Sequence, residues 1–192
     1  MLLSYKNDPK LKKMIVSEMK LHRKRDQIIK GTYSKTNGLF RGCAIGCSIH
    51  SLNIRLKKDL PTNQHNLYES EFGLPEWLAR LEDYLFENLP EKEAMDFPVD
   101  LLVAIPVGVD INPVQYKFKK FLLQENFEHV QKLKNIDLKI KSQVTEAIEM
   151  VIKVMDGAIT TGKVDELAWS AARSAAESAA RSAAWSAAWS AA

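Results

Sequence analysis

Apolar residues recur at three- and four-residue spacing over most of the chain, which is the period of an amphipathic helix. Asp8-Pro9 is a helix start, with the aspartate as cap and proline at the first helical position. Leu11, Met14, Ile15 and Met19 follow as one stripe, so a helix is predicted over about 9–30, stopping at Gly31. Glu18 and His22 continue that face, and Asp26 lies one turn further on. Residues 42–51 read as a short helix, and 52–66 are polar and broken by Pro61. A short helical segment at 67–72 ends at Gly73, and Pro75 opens a stronger one. There Trp77, Leu78, Leu81, Tyr84 and Leu85 make a core face. Glu82 neighbours that face and can turn inward. Pro98 opens a buried helix over 98–105, and Asn112-Pro113 caps one over about 114–126 that offers Tyr116, Phe118, Phe121 and Leu122 for burial. Residues 127–137 show no clear period. Ile140, Val144, Ile148, Val151, Ile152 and Met155 restore it over 138–155, closed by Gly157.

No run of alternating β-branched residues competes with this pattern. The best strand candidate, 101–109, is flanked by prolines that disfavour a central strand. The fold expected is all-α: a single compact helical domain over 1–166, with a long Ala/Ser-rich helix over 167–192 packed on it. That last helix is a tetrapeptide repeat, x-Ser-Ala-Ala, with Trp169, Arg173, Glu177, Arg181, Trp185 and Trp189 at the variable position. Four residues turn a helix by about 400°, so the variable position drifts roughly 40° per repeat. Trp185 and Trp189 are then near neighbours, able to anchor a protein partner or a second copy of the chain. Arg173, Glu177 and Arg181 are spaced for i, i+4 ion pairs.

Charge changes the picture because it is uneven. Residues 1–58 hold 14 Lys/Arg against 3 Asp/Glu, a net +11, and residues 59–112 hold 2 against 12, a net −10. The basic third is a candidate surface for nucleic acid, unless the acidic middle folds against it. No aromatic residues interleave with its lysines. Two cysteines, no leader-like N-terminus and no apolar run near the roughly 20 residues of a membrane span suggest a cytoplasmic protein with no membrane partner.

Candidate chemistry concentrates in 37–51, Asn-Gly-Leu-Phe-Arg-Gly-Cys-Ala-Ile-Gly-Cys-Ser-Ile-His-Ser. On a helix Cys43, Cys47 and His50 share one face. Gly46 in mid-helix costs about 1 kcal/mol relative to alanine and signals close approach of a backbone or ligand. With Gly42 it forms a small-residue ridge suited to a neighbouring helix. Three readings fit the face. Cys43 and Cys47 are small buried hydrophobes. Alternatively, Cys43 at the helix start is a thiolate nucleophile with His50 or His22 as base and Asp26 orienting His22. The third is a metal site with ligands Cys43, Cys47 and His50, although Cys-x3-Cys-x2-His is not the paired spacing of structural zinc. No cofactor motif accompanies these residues, and His65 and His129 fall in segments expected to be exposed.

The segment 42–50, Leu74-Pro75-Glu76-Trp77-Leu78-Ala79-Arg80-Leu81-Glu82-Asp83, Ala104-Ile105-Pro106-Val107-Gly108 and the Ser-Ala-Ala-x tail together resemble a family of uncharacterised bacterial and phage proteins. The likeness runs from about His22 onward and implies a histidine with an aspartate four residues later ahead of the cysteines, matched by His22 and Asp26. It implies no activity. Related chains often continue past the repeat with an amphipathic segment. The alanine-rich tail is similar in composition to immunity proteins of toxin systems. The sequence therefore supports a thiol-dependent acyl or group transfer on a small substrate, with an interaction module of a mobile element or a metal-binding helical protein as alternatives.

Overall fold

The computed structural model describes residues 1–134 and 136–190, with the side chains of Thr36, Asn37 and residues 185–190 outside that description. Among the described residues the fold is all-α except for one short ribbon. The chain forms two compact units, Met1–Asn112 and Pro113–Ala192. The division falls inside the stretch expected as one domain, and the tail helix joins the second unit.

In the first unit α1 spans Pro9–Lys24, with the Asp8 carboxylate accepting from Lys10 N–H. It stops six residues short of the expected end. Asp26 turns into the left-handed region at φ 52°, and the following backbone pairs across the chain, Gly42 N–H donating to Gln27 O and Ile29 N–H to Gly42 O. Those pairings replace the helical ones. The antiparallel ribbon β1 (Lys35–Asn37) and β2 (Leu39–Arg41) folds about Gly38, a strand pair that the Asn-Gly signal alone did not predict. Next come α2 (Ala44–Leu56), a π turn at Tyr68–Phe72 closed by Gly73, α3 (Glu76–Asn88) and α4 (Glu91–Ala104). Pro98 lies inside α4 instead of opening it; the start is set by Pro90. Tyr5, Tyr68, Phe72, Phe86, Ile45 and Ile49 are fully buried in one core.

The N-terminus is strapped onto this core in an uncommon conformation. Tyr5, Lys6 and Asn7 all have positive φ, 53°, 52° and 57°, a left-handed turn that costs roughly 1–2 kcal/mol per residue. It is held by Ser4, whose N–H donates to Val109 O and whose O accepts from Gly108 N–H, and by the Tyr5 hydroxyl on Leu102 O at 2.6 Å.

The uneven charge is met within this unit. Arg23 of α1 pairs with Asp96 of α4, Lys58 pairs with Glu71, and Lys12 donates to Val103 O and Ile105 O at the C-terminus of α4, where a cation is favoured.

The second unit is three helices, α5 (Val114–Lys132), α6 (Leu138–Thr161) and α7 (Glu166–Ser190). α6 runs on through Gly157 and ends at Gly162, which takes the left-handed conformation. α5 buries no residue fully; Phe121 and Leu122, expected to be buried, are largely exposed. The core is small: Val154, Met155 and Ala172, flanked by Tyr116, Leu123, Val151 and Val164. In α7 the inward positions walk back through the repeat, from the second alanine at Ala172 to the first at Ala179, as the drift of a four-residue repeat on a 3.6-residue helix requires. Arg173 donates to Glu177 at 2.9 Å. No helix among the described residues is long and apolar enough to cross a membrane.

Candidate functional site

The glycines of the cysteine segment position this site, and their neighbour is a loop instead of the expected helix. A Cβ at Gly46 would lie 1.8 Å from the Tyr33 carbonyl oxygen, and one at Gly42 would lie 2.4 Å from it. Only glycine lets the 31–34 backbone settle on the start of α2. Cys43 N–H then donates to Thr32 O at 2.7 Å. The loop reaches α3 at two further points. Gly31 N–H donates to the Glu87 carboxylate at 3.0–3.1 Å, and the Tyr33 hydroxyl donates to Asp83 Oδ2 at 3.0 Å.

Asp83 and Glu87 stand one turn apart on α3, so both carboxylates face the loop. The Cys43 sulfur comes to them from the cap position of α2, and the three ligand atoms lie within 4.8 Å of one another. His65 completes the set: its Nε2 lies 3.0 Å from Asp83 Oδ2. A carboxylate only accepts, so Nε2 carries the proton and donates. Expected to be exposed, His65 is instead mostly covered, with its ring edge-on to Tyr33 at 5.9 Å. Cys43 is buried, and the two carboxylates with Tyr33, His65, Arg80, Tyr84 and Asn88 line an open cavity of about 390 Å³.

Electrostatics decide what Cys43 is. The amides of Gly46 and Ile45 at the helix start favour a thiolate, as expected from its position, but burial outweighs them and Asp83 and Glu87 add like charge. The thiol is pushed up to about 12. Tyr33 is likewise pushed up to about 12, first by burial and then by its bond to Asp83. Apart from His65, no basic side chain among the described residues pairs with Asp83 or Glu87.

The remaining sequence candidates assemble elsewhere. His22 is buried in α1, with Nδ1 3.0 Å from Gln27 Oε1 and Nε2 3.1 Å from Ser51 Oγ. Gln27, not Asp26, holds the imidazole; Asp26 is exposed on its left-handed turn. The Gln27 amide nitrogen donates to Phe40 O, so Oε1 is the free acceptor and Nδ1 carries a proton. His50 stacks flat on Phe40 at 3.6 Å between centroids and lies 5.6 Å from the His22 ring. Burial lowers the pKa of both histidines. Neither His22 nor His50 hydrogen-bonds Cys43 among the described residues. Cys47 points its thiol at Gly42 O and Gln27 O and is buried, so Cys43, Cys47 and His50 do not converge as ligands. Both cysteines are free. The side chains of Trp185 and Trp189, the expected partner anchors, lie outside the described residues.

Behind the site, Glu82 does turn inward. The apolar face of α3 runs through Leu78, Ala79 and Phe86 with Glu82 in its middle, while Tyr84, expected in that face, is exposed. Burial holds the Glu82 carboxyl up to about 8. Its two oxygens, the Tyr68 hydroxyl, the Ser48 hydroxyl and Trp77 Nε1 are buried without a hydrogen-bond partner.

No family model matches the chain, and neither the curated proteins nor the solved structures contain a match. The pattern-based reading missed Asp83, Glu87, Tyr33 and His65. One signal was present: two carboxylates at i, i+4 on α3 without a basic residue spaced to pair with both.

Proposed function

We propose that this is a metal-binding helical protein, in which Cys43, Asp83 and Glu87 hold a divalent cation of the zinc class. The observation that carries the reading is the convergence of one sulfur and two carboxylate ligands within 4.8 Å. One thiol, two carboxylates and an open side match a three-ligand site that leaves a position for water or substrate. His65 and the Tyr33 hydroxyl would fix the Asp83 carboxylate as outer-shell partners, and Gly31 N–H would fix Glu87. A cation there would neutralise groups that now oppose one another and hold the sulfur as thiolate. It would supply Lewis-acid chemistry, polarising an oxygen of a substrate in the cavity or acidifying a water.

The thiol-transfer reading is the second. The Gly46 and Ile45 amides at the sulfur favour it, and the near-complete burial of Cys43 opposes it. Alkylation of the metal-stripped native protein separates the two. Both cysteines should stay unmodified until the protein unfolds, whereas rapid modification of Cys43 near neutral pH would restore the nucleophile. The metal reading is tested directly with cobalt(II). The native chain should take up one ion with thiolate-to-cobalt charge-transfer absorption, which Cys43→Ser removes. His65→Ala should weaken binding roughly 10- to 100-fold.

A further inference from the structure

The outward face of α1 is an unbroken row of cations. Lys10, Lys13, Lys20 and Lys24 lie within about 80° of one another round the helix, with Ser17 among them, and all five are exposed. At the rise of an α-helix the row runs for about 21 Å. The opposite face carries Ile15 and Met19, both fully buried. No acid interrupts the row. Glu18, the one acid inside α1, is buried on another side and pairs with Arg55. Asp8 caps the helix start, and Asp26 lies beyond its end. The contacts that meet the basic charge of this third take Lys12 and Arg23 to α4 and Lys58 to Glu71. Among the described residues none of the four lysines in the row forms an ion pair. Like charges three or four residues apart on a helix repel, so folding gains nothing from Lys10 beside Lys13 or from Lys20 beside Lys24.

The chemistry of the row selects its partner. A straight, rigid line of positive charge complements a polyanion that carries its own regular line of charge. Double-stranded nucleic acid presents one negative charge per roughly 1.7 Å of axis, and lysines that neutralise it release condensed counterions. Ser17 adds a hydroxyl donor, another common contact to phosphate oxygens. No Phe, Tyr or Trp lies in α1, so the helix offers no platform on which unpaired bases stack. Its apolar residues Leu11, Met14, Ile15 and Met19 pack into the core, so none is left to enter a bilayer as a membrane-surface helix requires. We infer that the face of α1 formed by Lys10, Lys13, Ser17, Lys20 and Lys24 docks on the phosphate backbone of a nucleic-acid duplex, without reading its sequence. No metal takes part, and this face shares no residue with the proposed zinc-class centre.

Fluorescence anisotropy of a short labelled DNA duplex of mixed sequence, titrated with the full chain in the presence of a chelator, tests this. Affinity should fall roughly 100-fold between about 50 and 200 mM potassium chloride, as four phosphate contacts require. Lys20→Gln should reduce the slope of log affinity against log salt by about one. Lys10→Gln, Lys13→Gln, Lys20→Gln and Lys24→Gln together should remove binding; all four positions are exposed, and circular dichroism checks that the fold survives. Lys92→Gln, at an exposed lysine among the acids of α4, should leave the slope unchanged. No binding at the lowest salt, or binding that the fourfold variant retains, would overturn the inference. Tighter binding to phosphatidylserine vesicles would overturn it in favour of a membrane surface. Tighter binding to a single strand of the same length would overturn the duplex as partner.

Discussion

The first unit and the second are both helical, but they are held together by different means. The first packs Tyr5, Tyr68, Phe72 and Phe86 at full burial, and the same unit tolerates a buried glutamate, a buried histidine and a left-handed strap. The second closes on valine, methionine and alanine, and its α5 buries nothing fully. Large rings surround polar groups and exclude water from them, so their charges interact strongly. The alanine seam of the second brings helices close and, among the described residues, encloses no polar side chain. Among the described residues the buried titratable groups therefore lie in the unit with the heavier core, and the repeat helix belongs to the other.

The sharpest way to break this contrast is to empty each core. Phe86→Ala should destabilise the first unit by about 3–5 kcal/mol, the upper end for core truncation. Met155→Ala in the second should fall near the lower end, about 2 kcal/mol. Denaturant midpoints read at each unit check both, and equal losses would erase the distinction. Next in size is Gly46→Ala. The added methyl meets the Tyr33 carbonyl at 1.8 Å, so the 31–34 loop must move, at a cost of roughly 1–3 kcal/mol. Because that loop carries Tyr33 and Gly31, metal binding should fall with stability; a variant with unchanged cobalt affinity would show that the loop does not position the site.

A smaller effect distinguishes the buried histidine. Burial lowers the His22 pKa below 6.5. As pH falls through 6.5, the unfolded chain takes up a proton that the folded one refuses. Stability is then present above 6.5 and lost on acidification. Urea midpoints across pH 5 to 8 should show this slope, and His22→Gln should reduce it to the part that His50 contributes. The smallest effect belongs to the exposed surface: Leu138→Ala in α6, at a residue 82% exposed, should change stability by less than about 0.5 kcal/mol.

Much of the fold was legible because its signals are local. Asp8-Pro9, Gly73 and the apolar period of α6 each mark an element within a few residues, and the four-residue repeat dictates how α7 turns its alanines inward. The end of α1 was not legible, because pairing of Gln27 and Ile29 with Gly42 overrides local helix propensity. Nor was the burial of α5, since apolar periodicity shows what can be covered, not what covers it. In the cysteine segment Gly46 does mark close approach, of the Tyr33 backbone. Its partners were not found, because the loop at 31–33, the cap at Cys43, the histidine at 65 and the helix at 83–87 meet only through tertiary packing. His50 looked like a partner of Cys43 because an ideal helix places the two on one face, and His22 because Asp26 follows it by one turn. In the fold Cys43 caps α2 from outside it, and His50 turns to Phe40 instead.

The most direct test of the account is a zinc titration of the metal-stripped full chain against Asp83→Asn, followed by calorimetry at fixed pH. The account predicts one zinc per native chain, proton release as the buried Cys43 thiol ionises on ligation, and an affinity at least tenfold weaker in the variant. Zinc uptake that is absent, or equally tight in Asp83→Asn, would contradict it.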